Sequence, residues 1–223
     1  MKTVLITGAN RGIGLVLCQQ FAGRGDHVIG VCRHGSEALQ NTGAQVEPGI
    51  DVTDDDALAA LAQRLQGTTI DTLVLNAGIL GRESLGSIDA AGLDSIRRQF
   101  EVNALGPLRV AQALLGQLGT GSRIGIVSSR MGSVGDNDSG GYYGYRASKA
   151  AVNAIGKSLA IDLKPRGIAV FLLHPGYVAT EMVGGGGDIS PEQSARQLLE
   201  RLDSLGMEQT GTFWHANGRE LPW

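Results

Sequence analysis

Short apolar runs alternate along this chain with longer stretches in which apolar residues recur at helical spacing. Val4 to Ile6 is a continuous run, as in a central parallel strand buried on both faces. It breaks at Thr7-Gly8-Ala9-Asn10-Arg11-Gly12-Ile13-Gly14, and helical periodicity then continues through Phe21 and Ala22. His27 to Cys32 predicts a second strand. Gln45 to Ile50 predicts a weak third strand, and Pro48 assigns it to a sheet edge. A helix capped by Thr53 or Asp54 runs to about Gln66, followed by a fourth strand over Asp71 to Leu75. Residues 79–92 read as loop. Helical periodicity resumes at Leu93, runs through Phe100 and reaches about Leu118 in a second stretch. Ile124 to Val127 is a fifth strand, and the glycine-rich, polar stretch from Met131 to Gly141 is a loop.

A long helix then starts at Tyr142 or Tyr143 and runs to about Leu163, where Lys164-Pro165-Arg166-Gly167 ends it. Ile168 to Leu173 predicts strand six. Four glycines, Gly184 to Gly187, precede a last helix with Ser190 as N-cap and Pro191 at its first position. Thr212 to Trp214 gives a short seventh strand. Strands alternating with helices imply an α/β fold, a doubly wound parallel sheet with right-handed crossovers, and a single domain over residues 1–223.

The turns carry the candidate chemistry. A glycine-rich turn after the first strand lets backbone approach a ligand, and exposed N–H groups at the following helix start suit a pyrophosphate. The spacing G-x-x-x-G-x-G differs from G-x-G-x-x-G, and no Gly-Lys-Ser/Thr follows to make a triphosphate loop. After the second strand stands Arg33, with no acid between Val28 and Ser36. An acid there would bind a ribose 2′-OH, whereas arginine accommodates a 2′-phosphate. With Arg11 in the glycine loop, this favours NADP(H) over NAD(H). The small-residue turn Asn76-Ala77-Gly78 ends the fourth strand, where ligands bind in open α/β sheets. Asn103, in an apolar helix, needs a partner; a satisfied core amide and an active-site residue both fit.

Tyr145 and Lys149 stand four apart on one helical face, about 5–6 Å apart at Cβ. A tyrosine hydroxyl with a reference pKa of about 10 is a poor acid–base group at neutral pH, and a neighbouring ammonium favours the phenolate. Ser129, at the end of the fifth strand, is positioned to hold a polarised oxygen beside the tyrosine. The three suit proton exchange at a carbonyl or alcohol but supply no hydride. His174 reads as structural, because no Ser-His-Asp spacing or Gly-x-Ser-x-Gly elbow accompanies it.

Composition removes several function classes. A net charge of −3 on 223 residues argues against a nucleic-acid or anionic-membrane partner. No apolar run approaches the ~20 residues that span a bilayer, and the N-terminal run is too short for a signal peptide. Two cysteines, Cys18 and Cys32, form neither a metal pattern nor a disulfide framework, as in a cytoplasmic protein with reduced thiols. The run Thr53-Asp54-Asp55-Asp56 reads as a charged helix start rather than a metal site, so no metal is expected.

Taken together, these motifs resemble the short-chain dehydrogenase/reductase family over nearly the whole chain. The loop from Gly8 through Asn10, Arg11, Gly12 and Ile13 to Gly14 matches its cofactor loop. Asp51-Val52 matches the acid that contacts the adenine ring, and Asn76-Ala77-Gly78 the turn lining the cofactor. Asn103, Ser129, Tyr145 and Lys149 match the catalytic tetrad. The segment Pro175-Gly176, with Val178 and Thr180, matches the part that binds the nicotinamide side. The runs Ser128–Gly132 and Gly140–Lys149 resemble especially the C-factor-type, carbonyl-reductase-like branch.

The resemblance implies a Rossmann-type three-layer sandwich, with a seven-stranded, mostly parallel sheet in the order 3-2-1-4-5-6-7. It also implies hydride transfer between NADP(H) and a small-molecule carbonyl or alcohol, with Tyr145 as acid/base. Lys149 would lower the tyrosine pKa and hold the nicotinamide ribose, and Asn103 would hold a water linking Lys149 to solvent. Helices over roughly 102–118 and 143–163 commonly pair across a two-fold axis in the family, which implies a homodimer or homotetramer. A dinucleotide-binding sensor or signalling protein with little turnover is the alternative.

Two departures stand out. Ser129 and Tyr145 lie farther apart than is usual, with Asp136-Asn137-Asp138 as the insertion. The stretch between Thr180 and Ser190 is short and glycine-rich, so a mobile loop, an open site and broad or bulky carbonyl substrates are expected.

Overall fold

Seven parallel strands form one sheet in the order β3-β2-β1-β4-β5-β6-β7. They are β1 (Thr3–Thr7), β2 (His27–Val31), β3 (Gln45–Glu47), β4 (Thr72–Leu75), β5 (Arg123–Val127), β6 (Ala169–His174) and β7 (Thr212–His215). The structure is a computed structural model and describes residues 1–223. Leu5 of β1 pairs with Ile29 of β2 on one side and Leu73 of β4 on the other. The chain order therefore reverses between β1 and β4, which opens a crevice at the carboxyl ends of the strands. β3 is an edge strand that stops before Pro48. All six ladders are parallel, and the one antiparallel contact is an isolated bridge from Trp214 to Glu220.

Alternation along each strand feeds two cores. Val4 and Ile6 face the layer of α1 (Gly12–Gly23), α2 (Glu37–Gln40) and α7 (Pro191–Ser204), packing with Leu17, Phe21, Leu39 and Leu198. Leu5 faces the opposite layer, α3 (Asp55–Arg64), α4 (Ala90–Phe100), α5 (Gly106–Ala113) and α6 (Tyr143–Leu163), with Leu61, Val110 and Val152. Both layers are needed because strands buried on two faces have no water-facing side.

Helix starts follow their caps. Ser36, Asp54, Asp89 and Ser190 each accept from a backbone N–H in the first turn of the helix they precede. Asp89 starts α4 before the apolar periodicity at Leu93 becomes visible. The chain between α4 and α5 does not break. It widens into a π-turn over Glu101–Leu105, in which Gly106 N–H donates to Glu101 C=O. No helix is long and apolar enough to cross a membrane.

Candidate active site

The strand ends converge on a cavity of about 460 Å³. Thr7 ties two of them together: its Oγ1 accepts from Asn76 N–H at 3.0 Å and Ala77 N–H at 3.1 Å. Asn76 Nδ2 returns a bond to Thr7 C=O at 3.0 Å. Gly8 and Gly12 turn the loop with φ of +67° and +54°, in the left-handed region. A Cβ on Gly14 would fall 2.2 Å from Gly8 C=O, so only glycine lets α1 start this close to β1. Arg11 stands at the N-cap of α1 without a side-chain cap, and the first turn holds no acid. The free N–H groups of the 12-residue α1 thus point toward the crevice with nothing negative in that turn, as phosphate binding requires.

Most of the expected cofactor residues meet at this cavity. The glycine loop contributes Gly8, Asn10, Arg11, Gly12 and Ile13. Arg33 comes from the end of β2, Asp51 and Val52 from the turn after β3, and Asn76, Ala77 and Gly78 from the end of β4. Thr180 closes the far side. Gly14 packs behind the loop rather than lining the cavity. Pro175, Gly176 and Val178 also stand outside it. Pro175 C=O accepts from Ser194 Oγ of α7 at 2.8 Å, and Val178 bridges Ile189.

Sequence reasoning missed His34, Arg98, Glu181 and Met182, which also line the cavity. Arg98 of α4 pairs with Asp51 at 3.2 Å, and Arg33 stands 3.9 Å from the same carboxylate. Burial alone would raise the Asp51 pKa; bonds from Thr53 and the two guanidinium charges hold it below the usual carboxylate value. Arg11 reaches across the mouth to Glu181 at 2.5 Å. Nothing in the local sequence around Arg98 marks it, since a charged residue on an amphipathic helix ordinarily meets water.

The tetrad residues lie behind the Gly78 wall. A Cβ at Gly78 would stand 3.3 Å from Asn103 Oδ1 and 3.8 Å from Lys149 Nζ. Ser129 is buried at the end of β5, and its hydroxyl accepts from Met131 N–H at 3.1 Å. Tyr145 is half-buried on the first turn of α6, and Lys149 is 4% exposed one turn later. The Lys149 amine donates to Val127 C=O at 2.8 Å and lies 5.8 Å from the tyrosine ring centre.

Burial pushes the Tyr145 phenol above its ordinary value, while the Ser129 hydroxyl favours the phenolate. Burial also lowers Lys149, to about 8, so its amine stays charged at neutral pH, and its hydrogen bond goes to a backbone carbonyl. The Asn103 side chain bonds protein groups on both sides. Its Oδ1 accepts from Ile79 N–H at 2.8 Å, and its Nδ2 donates to Ile79 C=O at 2.9 Å and Ser148 Oγ at 3.0 Å. Asn103, set in the π-turn, fastens the loop after β4 to α6.

The stretch from Thr180 to Ser190 has a frame of its own: a 3₁₀ turn over Glu181–Val183, and Ala179 N–H bonded to Ile189 C=O at 3.0 Å. The stretch after Ser129 is likewise tied down, by Arg130 to Asp136 at 2.7 Å and by Gly135 N–H to Trp223 C=O at 3.2 Å. His174 packs edge-on to His215 at 4.8 Å with its Nδ1 buried and unpartnered, and burial with nearby positive charge takes its pKa to about 3.

The short chain dehydrogenase family profile matches residues 2–188. This chain belongs to that family. It is similar to the 1-hydroxy-2-glutathionyl-2-methyl-3-butene dehydrogenase of Rhodococcus sp. (strain AD45), with 44% identity covering all of both chains. The C-signal protein of Myxococcus xanthus is 41% identical over 74% of this chain and all of its own. Among solved structures, the NADPH-bound carbonyl reductase from chicken fatty liver superposes with a TM-score of 0.89 at 28% identity, covering 100% of this chain and 99% of that one. These relatives agree with the C-factor-type, carbonyl-reductase-like branch suggested by the motifs around Ser129 and Tyr145.

Proposed function

We propose that this chain transfers a hydride between NADP(H) and a carbonyl or alcohol substrate, with Tyr145 as the acid–base group. The observation that carries the reading is the shared helix face of half-buried Tyr145 and buried Lys149, with the Ser129 hydroxyl beside the phenol and the cavity just beyond Gly78. The cavity fits the dinucleotide on chemical grounds: an uncapped helix start for the pyrophosphate, and Arg11 and Arg33 for a 2′-phosphate. Asp51, whose charge would repel that phosphate, is already paired with Arg98. The NADPH-bound carbonyl reductase supports the same choice of cofactor. When bound, the nicotinamide supplies or accepts the hydride.

The chain's own residues then handle the oxygen and its proton. Ser129 donates a hydrogen bond to the substrate oxygen. Tyr145, whose burial favours the neutral phenol, gives that oxygen a proton in the reducing direction and takes it back in the oxidising one. Lys149 holds the nicotinamide ribose, and Asn103 fixes the backbone behind it. The Rhodococcus relative, named for a glutathione-bearing alcohol, supports bulky substituted substrates. We further place the enzyme in the cytoplasm, as a single domain that pairs with copies of itself through α5 and α6. Exposed Leu108 and Ile161 on those helices support the pairing.

The test is turnover of NADPH and NADH, side by side, over a panel of aldehydes and ketones. Tyr145→Phe should lower kcat by about 10²–10⁴-fold with NADPH affinity nearly intact. Near-normal turnover in that variant would refute the assignment.

A further inference from the structure

The loop after β4, featureless in sequence, contains a buried carboxylate. Glu83 is 8% exposed and has no cationic partner within ion-pair distance. An isolated buried charge is costly, so neutral donors must hold it. Glu83 Oε1 accepts from Gln99 Nε2 at 2.6 Å and Ser95 Oγ at 2.8 Å, both on α4. Its other oxygen, Oε2, accepts from Gly144 N–H at 3.2 Å, and its backbone C=O accepts from Tyr142 N–H at 2.9 Å. Gln99 Oε1 in turn accepts from Gly81 N–H at 2.8 Å. Burial alone would raise the Glu83 pKa, and these bonds bring it below the ordinary value.

The position of this network matters because α6 starts without a cap of its own. Tyr142 precedes it in the left-handed conformation, φ 50° and ψ 43°, and offers no side-chain acceptor. The first N–H groups of a helix need partners, and negative charge is favourable there. Glu83 supplies both from a different part of the chain. It bonds the residues at positions 142 and 144, immediately before Tyr145. The packing has no slack: a Cβ at Gly144 would lie 2.4 Å from Gln99 Nε2, and one at Gly81 would lie 2.2 Å from Glu83 Oε1.

We infer that Glu83 is the positioning residue for Tyr145, a cap supplied in space that fixes where the first turn of α6, and so the phenol, stands relative to Ser129. This rests on Tyr145 being the acid–base group. A displacement of about 1 Å at a reacting group costs about a hundredfold in rate. The cap is outside the cofactor cavity, so its loss should act on the chemical step and leave dinucleotide binding alone.

Glu83→Gln keeps the shape but turns an NH₂ toward either the Gly144 N–H or the α4 donors. We expect its kcat to fall about tenfold or more, with KM for the carbonyl and the NADPH Kd within about twofold. The double variant Glu83→Gln/Gln99→Glu moves the carboxylate across the network. The amide now at position 83 would accept from Gly144 N–H and donate to the carboxylate now at position 99, which would still accept from Gly81 N–H. Its kcat should return to within a few-fold of the parent.

An unchanged kcat in Glu83→Gln overturns the inference, as does a fall matched by equal loss of NADPH binding or of folded protein. Failure of the double variant to recover kcat while its Tm recovers also overturns it. Tyr145→Phe run in parallel separates the two claims. An active Tyr145→Phe removes the proposed function, whereas an inactive one beside a normal Glu83→Gln removes only the positioning role.

Discussion

Two single side chains give sharp tests at the scale of the residue. Gly14 touches no part of the cavity, yet a methyl group there would collide with Gly8 C=O and with Asn76 Nδ2 at 2.6 Å. Gly14→Ala should therefore push the phosphate loop out of shape. NADPH titration should show affinity down about tenfold or more, as expected when a buried backbone contact must give way. Lys149 offers a pH test. Its pKa is about 8 in the fold against 10.5 for the free side chain, so between those values the unfolded chain binds the extra proton. Stability then rises with pH across that window. The proposed hold of Lys149 on the nicotinamide ribose uses the charged amine, so kcat/KM for NADPH should fall as pH passes about 8. A profile that stays flat well above that pH would remove Lys149 from that role. The buried histidine, His174, stays neutral throughout this range and should add no limb near neutral pH.

Elements were legible in the sequence where a period or a cap signals them. The strands that start at residues 3, 27, 123 and 169 could be read from their apolar runs, and α7 from Ser190 and Pro191. Ser190 accepts from Gln193 N–H at 3.2 Å, so Ser190→Ala should cost about 1 kcal/mol in a denaturant titration. Most of the expected cofactor residues that line the cavity sit in turns whose glycines or strand-end position mark them. What escaped has no local signal. Glu83 lies in an aperiodic loop and acts through residues 12 to 61 positions away. Arg98 has a partner 47 residues back. The same limit holds for Tyr145 and Lys149: i, i+4 spacing fixes which face two side chains share, not that the amine's bond goes to Val127 C=O.

At the scale of the molecule, the cavity is a property of the finished sheet. Its walls run from Gly8 to Met182, and they meet only when β1, β2 and β4 lie side by side. A dinucleotide that binds there binds the folded state alone. Saturation at about 100 times Kd should add about 2.7 kcal/mol of stability. Differential scanning with NADPH should show a Tm that climbs with cofactor concentration, and a Tm indifferent to it would speak against the cavity as the binding site.

The wide turn at Glu101–Leu105 has a last consequence. A helix advances about 100° per residue, so one surplus residue rotates everything after it by that angle relative to everything before. Cutting any one residue from this turn would let the rod close into ordinary α register and untwist that offset. Either Asn103 would leave Ile79 and Ser148, or Val110 and its neighbours would leave the sheet. Substitutions in this turn are matters of degree, but its length permits no half-measures.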